Sequence, residues 1–211
     1  MGHSDSVVIV GAARTPIGKL GGVLSQVPSP TLGAAAIRAA MERAEVEPER
    51  IDYTIMGNVL SAGLGQAPAR QATIGAGIPD TNSALTVNKV CASGLMSVIL
   101  GAQMIRGGDL NMVAAGGMES MSLAPHFVPS SRFGKRLGNW EMVDTVIHDG
   151  LWCSLSTCPM GTLAERTELL PAMVAAHAEV ASWIDEARPQ VLAFIASTWG
   201  VTPERAERAV R

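Results

Sequence analysis

The stretch "SALTVNKVCASGLMSVILGAQMIRGGDLNMVAAGGMES", residues 83–120, decides the fold. It opens with a β-rich run at 83–90, continues into a helical stretch at 91–108 that Gly107 and Gly108 close, and ends in a second β-rich run. A strand, a helix and a strand in this order form the unit that joins parallel neighbours in a sheet. The sequence therefore predicts an α/β protein with parallel strand pairs.

The same alternation continues toward the N-terminus. Residues 6–12, "SVVIVGA", are apolar nearly throughout, which predicts a strand buried on both faces. A helix is predicted at 31–46, with Thr31 as its candidate cap and Pro48 as the residue that stops it. Two further elements complete the pattern, a strand at 51–60 and a helix at 66–77. We predict a mixed, largely parallel sheet with helices on both faces.

The pattern changes after residue 122. Prolines and glycines become frequent, which predicts a loop-rich excursion over residues 123–167. Apolar residues recur at helical spacing in the region that begins near Gly161, and this predicts a helical C-terminal segment. The predicted organisation is a core at 1–122, the excursion at 123–167 and a helical segment at 168–211.

Composition and charge exclude several classes of protein. Apolar residues make up 47% of the chain and charged residues 17%, which is typical of a folded α/β protein. The net charge of −3 gives no general attraction to nucleic acid or to an anionic membrane, and we expect neither as a partner. No leader or membrane-spanning run is evident, so we expect a cytoplasmic protein. The basic cluster Arg132, Lys135 and Arg136 is either a solvated loop or a contact for a phosphate-bearing ligand.

The three cysteines are predicted to be free thiols, because an odd number in a chain of this size argues against a disulfide framework. Cys153 and Cys158 form a C-x4-C pair, but no second pair of cysteines or histidines stands at zinc-like spacing. We therefore predict no metal site.

Cys91 is the candidate nucleophile. The sequence places it at the first turn of a predicted helix, where unpaired backbone N–H groups and the helix dipole favour thiolate over thiol. The same N–H groups could stabilise an oxyanion during acyl transfer. Small neighbours, Ala92, Ser93 and Gly94, would let a bulky acyl carrier approach the backbone. The alternative is a buried structural cysteine in a tight strand-to-helix turn.

The segment "NKVCASGLMSV", residues 88–98, resembles the nucleophile segment of the thiolases, the acetyl-CoA acetyltransferases that join or cleave β-ketoacyl thioesters. The similarity covers the chain from about Val7 to Arg166 and implies the N-terminal half of a thiolase fold. Four other segments resemble thiolase segments in the order in which the family has them: "GAARTPIGKLGG", "GNVLSAGLGQAPARQA", "AAGGMESMSLAPH" and "VDTVIHDGL".

The resemblance implies covalent acyl transfer with coenzyme A thioesters as substrates and with neither a cofactor nor a metal. Cys91 would attack an acyl thioester, and a second acetyl-CoA, deprotonated at its methyl carbon, would then attack the acyl-enzyme. Leu151 and Met160 match positions that line the pantetheine and acyl pocket in the family. The family usually has histidine before that methionine, whereas this chain has Pro159.

The base for the second step is not evident in this sequence. The family places its activating histidine in a GHP segment, its second cysteine in a C-x-G segment and further oxyanion contacts in an NEAF segment, and none of these occurs here. The carbanion step needs a positioned base, so we do not expect this chain alone to complete turnover. None of the four histidines matches a catalytic position of the family; they are His3, His126, His148 and His177.

Three interpretations stay open: a thiolase represented by its N-terminal half, a non-catalytic remnant that binds acyl-CoA or another protein, and one half of a split enzyme. The expected partners are acetyl-CoA or another acyl-CoA, and either further copies of this chain or a chain that supplies the missing half. We also expect an apolar helix layer that the predicted helices at 168–199, or self-association, would cover.

Overall fold

The computed structural model describes residues 7–165. The chain divides into two compact units, residues 1–150 and residues 151–211, and each is described by itself. The predicted boundaries after residues 122 and 167 stay predictions.

A three-stranded parallel sheet forms the centre of the first unit. Its strands are β1 (Tyr53–Gly57), β2 (Ser83–Val87) and β3 (Val113–Gly117), in the order β2-β1-β3. Strand β1 is buried over Thr54 to Gly57, as expected of the central strand. All three strands were predicted from the sequence, and their parallel pairing is confirmed.

Three helices cover the sheet: α1 (Ser29–Ala44), α2 (Pro68–Gly75) and α3 (Ser93–Arg106). Side chains of α1 and α2 share one apolar core with Met56 of the sheet. Because side chains alternate along a strand, the opposite face presents Val113 and Ala115, and these lie against Gly101 of α3. The predicted arrangement of helices on both faces is confirmed.

Both ends of α1 differ from the sequence prediction. The helix begins at Ser29, with Pro28 as its N-cap residue and without a side-chain cap, so Thr31 does not cap it. Proline suits the start of a helix because its φ is already near the helical value. The helix ends before Pro48, because Glu45 adopts a left-handed conformation with φ 52° and its N–H returns to the carbonyls of Met41 and Glu42.

The predicted strand at residues 6–12 is wrong over the residues that the structure describes. Residues 7–12 pair with no strand there, and the side chains of Val8, Ile9 and Val10 are 70%, 80% and 61% exposed. Gly11 instead lies against the last turn of α1, where a Cβ would come within 2.6 Å of the Ala40 carbonyl oxygen. The contact with α1 therefore replaces the sheet pairing that the apolar run predicted.

Short elements follow the core. In the first unit β4 (His126–Phe127) pairs antiparallel with β5 (Val143–Asp144). A π-helical turn spans Val146–Leu151 and ends at the first residue of the second unit. In the second unit β6 (Trp152–Cys153) and β7 (Cys158–Pro159) form an antiparallel hairpin that precedes α4 (Met160–Glu165). The helical segment predicted at 168–211 lies outside the described residues. No helix within residues 7–165 is long and apolar enough to cross a membrane.

Candidate active site

Cys91 lies in the turn that joins β2 to α3 and is exposed to solvent. Helix α3 begins at Ser93 with Ala92 as its N-cap residue, so Cys91 lies one position before the cap and not in the first helical turn. The residue before it, Val90, has a left-handed backbone with φ 50°, which a β-branched residue rarely adopts. Exposure contradicts the alternative of a buried structural cysteine, and the unusual backbone agrees with a functional turn.

Two polar side chains hold this turn in place. The Ser93 hydroxyl donates to the Val90 carbonyl at 2.6 Å and accepts a hydrogen bond from the Lys89 N–H at 2.8 Å. The Asn88 side-chain oxygen accepts from the Val90 N–H at 3.0 Å. The hydrogen bonds on both sides of Val90 fix its strained conformation, and they thereby fix the backbone from which the Cys91 thiol projects.

Backbone N–H groups next to Cys91 are partly used within the turn. The Ala92 N–H donates to the Lys89 carbonyl at 3.2 Å, and the Ser93 N–H donates to the Val90 carbonyl at 3.0 Å. These two donors are engaged in the turn, in contrast to the expectation that the first N–H groups would be open to an oxyanion.

Glycines set the distance between this turn and the sheet. A Cβ on Gly57, at the end of β1, would lie 2.6 Å from the Gly94 nitrogen at the start of α3. A Cβ on Gly117, at the end of β3, would lie 3.2 Å from the Gly94 Cα. The Ser97 hydroxyl lies 2.6 Å from the Gly94 oxygen and 2.7 Å from the Gly116 oxygen, and it binds the helix to β3. The N-terminal end of α3 therefore rests directly on strand backbone.

A carboxylate organises the neighbouring loop, and the sequence analysis missed it. Glu119, just after β3, accepts hydrogen bonds from the N–H groups of Val59 and Leu60 at 2.8 and 3.1 Å and from the Asn58 side chain at 2.8 Å. Burial raises the pKa of the Glu119 carboxyl, although these hydrogen bonds oppose the rise. A signal was available, because Asn58 and Glu119 lie one and two residues after neighbouring parallel strands, whose carboxyl ends share one edge of the sheet.

The described histidines have aspartates as partners. His126 lies opposite Asp144 in the β4-β5 pair, with 3.9 Å between Nε2 and the carboxylate, and His148 Nδ1 lies 2.6 Å from the Asp149 carboxylate. Both pairs are partly solvent-exposed. Within residues 7–165 neither histidine is hydrogen-bonded to the Cys91 thiol. His3 and His177 lie outside the described residues.

Leu151 and Met160 flank the hairpin of the second unit. Trp152 pairs with Pro159, so the residues on either side of this pair, Leu151 and Met160, lie at the same open end of the hairpin. Leu151 is 46% exposed and Met160 is 39% exposed. The structure places these two residues at one end of the hairpin, and their role in a pocket stays a prediction.

The basic cluster of the excursion makes local contacts. Lys135 donates to the Asn139 carbonyl, and its ammonium lies 5.8 Å from the centre of the Trp140 ring. A cavity of about 300 Å³ there is lined by both Lys135 and Glu141, so a positive and a negative side chain both face it. These contacts favour the interpretation of a solvated loop over that of a phosphate site.

The fold and the site define an α/β protein with an exposed cysteine on a constrained strand-to-helix turn. Comparison with known proteins specifies the family. Residues 7–172 match the model of the N-terminal domain of thiolases. The chain belongs to the thiolase family.

Individual relatives agree with this assignment. The chain is 55% identical over 160 residues to an acetyl-CoA acetyltransferase of Cupriavidus necator, a match that covers 76% of this chain and 41% of that protein. It is 50% identical over 162 residues to an acetyl-CoA acetyltransferase of Schizosaccharomyces pombe, covering 77% of this chain and 41% of the relative. The chain thus spans about 41% of the length of these curated relatives.

A solved structure has the same fold. The crystal structure of Acat5 thiolase from Ascaris suum in complex with coenzyme A is similar with a TM-score of 0.76 and 37% sequence identity. The similarity covers 87% of this chain and 49% of that one.

Proposed function

We propose that this chain carries the acyl-accepting half of a thiolase, with Cys91 as the nucleophile and acetyl-CoA as the acyl donor. The observation that supports this proposal most directly is the exposed thiol on a turn held by Ser93 and Asn88. Relatives named acetyl-CoA acetyltransferase and a related structure with bound coenzyme A support the choice of substrate.

In the proposed step the Cys91 thiolate attacks the carbonyl carbon of the thioester. A bond forms between Cys91 Sγ and the acyl carbon, the bond from that carbon to the coenzyme A sulfur breaks, and coenzyme A leaves as a thiol after taking up a proton. Because the Ala92 and Ser93 N–H groups are engaged in the turn, the oxyanion must be stabilised by other donors.

Leu151 and Met160 are proposed to contact the pantetheine and acyl portion of the substrate. Both side chains are apolar and partly exposed, and the hairpin holds them at one end. Pro159 stands where the family usually has histidine, and it has neither an N–H nor an ionisable side chain. We therefore propose that coenzyme A contact at this position is limited to the apolar neighbours.

The condensation step is proposed to need residues that these 211 positions do not supply. A base must remove a proton from the methyl carbon of the second acetyl-CoA, and the two described histidines, His126 and His148, lie beside Asp144 and Asp149 instead. We propose that a further segment or chain provides this base, and that self-association or pairing with that chain completes the site. A non-catalytic acyl-CoA-binding protein is the second candidate, favoured by the absence of the GHP, C-x-G and NEAF segments from the sequence.

The test is acetylation of the purified protein by acetyl-CoA, followed by intact-mass and peptide analysis. We expect one acetyl group on Cys91 and release of one equivalent of coenzyme A thiol. Cys158 in the same molecule is the reference thiol, and we expect Cys91 to react at least about tenfold faster. Cys91→Ser should lose the modification, and Cys153→Ser should keep it.

Equal labelling of all thiols, or no labelling of protein with native circular dichroism, would overturn nucleophilic catalysis by this chain. The second candidate would then be examined by calorimetric titration with coenzyme A. Binding without acetylation would support the non-catalytic interpretation.

A further inference from the structure

A pair of cysteines faces across the hairpin of the second unit. In the β6-β7 ladder Cys153 is the direct partner of Cys158, and four residues, 154–157, form the connecting loop. Thr157 has a left-handed backbone with φ 50°, which turns the chain back so that the two cysteines meet. Both are free thiols of intermediate exposure.

This register satisfies the distance requirement of a disulfide. Residues directly opposite in an antiparallel pair have Cα atoms about 4.5 or 5.5 Å apart, depending on whether the pair is hydrogen-bonded. Disulfides form between residues whose Cα atoms lie about 4.4 to 6.8 Å apart. Because Cys153 and Cys158 project from the same face of the ladder, the bond can form without a change in strand pairing.

The two thiols are not equivalent. The Ser156 N–H donates a hydrogen bond to Cys153 Sγ at 3.4 Å. The hydrogen bonds from the backbone and side chain of Ser156, with a further one from the Leu155 backbone, lower the pKa of the Cys153 thiol. The lowered pKa gives Cys153 more thiolate for a first attack, and Cys158, directly opposite, is placed to resolve a mixed disulfide.

The surrounding residues favour redox chemistry over metal binding. Within residues 7–165 no group of three or more histidine, cysteine, aspartate or glutamate side chains is arranged to hold a metal ion. Two thiolates without further ligands leave a zinc ion short of its usual four. A pair of facing, partly exposed thiols with no additional donors among the described residues matches a thiol-disulfide couple.

We propose that Cys153 and Cys158 form a reversible intramolecular disulfide by exchange with a low-molecular-weight disulfide such as oxidised glutathione. The Cys153 thiolate attacks one glutathione sulfur, which forms a mixed disulfide and releases one glutathione thiolate. The Cys158 thiolate then attacks Cys153 Sγ and releases the second glutathione. The protein loses two protons and two electrons, and the glutathione disulfide is reduced to two thiols.

The disulfide would restrain the hairpin that separates Leu151 from Met160. The pair Trp152 and Pro159 lies between the cysteines and the open end, where Leu151 and Met160 are located. Formation of this disulfide needs neither Cys91 nor acyl transfer. Its test therefore reads out thiol chemistry alone.

The experiment equilibrates the full chain in glutathione redox buffers, quenches with acid and alkylates the remaining thiols with iodoacetamide. Trypsin then yields one peptide, residues 137–166, that contains both Cys153 and Cys158, and another, residues 90–106, that contains Cys91. We expect the first peptide to lose two hydrogen atoms in mass and to lose both alkylation sites. The peptide with Cys91 should remain alkylated.

The oxidised fraction should depend on the ratio of squared glutathione to oxidised glutathione and be the same at low and high protein concentration, as an intramolecular bond requires. Cys158→Ser should stop at a glutathione adduct on Cys153, and Cys153→Ser should form its adduct more slowly. Stable adducts on both cysteines of the unaltered chain, or dimers linked through either one, would overturn the proposal. Circular dichroism of each variant shows whether it has folded.

Discussion

The Asn58 side-chain amide donates a 2.8 Å hydrogen bond to the Glu119 carboxylate across 61 positions of the chain. The two residues follow β1 and β3, whose carboxyl ends are neighbours in the sheet. The Asn58 amide also reaches the Met118 carbonyl at 3.1 Å. This contact connects two loops next to the turn that carries Cys91.

Glu119→Gln should lower the free energy of unfolding by about 1–3 kcal/mol. Glutamine offers one acceptor oxygen in place of two, so at least one of the donors of Val59, Leu60 and Asn58 loses its partner in a half-buried site. Urea denaturation measures the change. Glu42→Gln, at an exposed position of α1, is the control and should stay within about 0.5 kcal/mol of the unaltered chain.

Glu119 should also give stability a particular dependence on pH. Because burial raises its pKa in the folded state, the folded protein binds this proton more tightly than the unfolded chain. Its contribution is greatest below the unperturbed value of 4.5 and is lost as pH rises through the raised pKa. Unfolding curves at several pH values should show the advantage over Glu119→Gln shrinking as pH rises. An advantage that grows with pH would contradict the assigned shift.

Asp52 should act in the opposite direction. Its carboxylate accepts hydrogen bonds from the N–H groups of Asn111 and Met112 at 2.7 and 2.9 Å, and these hold its pKa below the ordinary value of 3.8. The stabilisation is present above 3.8 and is lost as pH falls through the folded pKa. Asp52→Asn should remove this acid-sensitive part of the stability, which unfolding curves below and above that value would reveal.

Gly57→Ala should displace the N-terminal end of α3. The added methyl group would meet the Gly94 nitrogen at 2.6 Å, and neither backbone can yield without moving the turn of Cys91. We expect a loss of about 1–3 kcal/mol in unfolding free energy and an altered rate of Cys91 alkylation by iodoacetamide. Gly161→Ala is the matched control, because its methyl group would meet no described atom within 4 Å outside its own helix. Equal behaviour of the two variants would show that the close approach is not required.

Leu95→Gln should reduce hydrophobic dye binding and self-association. An exposed apolar stripe at helical spacing on α3 consists of Leu95, Val98 and Ile99. Leu95 is the most exposed of the three, at 64%. Leu155→Gln is the control, since Leu155 is equally apolar and 94% exposed but lies in a hairpin loop. Dye fluorescence and sedimentation should change for the first variant only. An unchanged dye signal for Leu95→Gln would mean that this stripe is covered.

The sequence by itself determined the core elements. Apolar runs bounded by turn residues located β1, β2 and β3, and the glycine pair at 107–108 marked the end of α3. The alternation of strand and helix then fixed parallel pairing, because a helical crossover brings each strand back in the same direction. The segment around Cys91 located the candidate nucleophile and the family.

The tertiary structure decided which groups became partners. The run at 6–12 has the composition of a buried strand, but composition does not name a neighbour, and residues 7–12 lie against α1 instead. Cys91 lies one residue before the N-cap of α3. The hydrogen bonds of Ser93 and Asn88 hold residues 88–93 in a turn, so that the helix begins only at Ser93. Glu119 acquires its partners only when the sheet brings distant positions together, and the register of a hairpin sets Cys153 opposite Cys158. The local sequence pattern indicates which secondary structure and how much burial a residue favours. Tertiary packing decides which atoms become its contacts and hydrogen-bond partners.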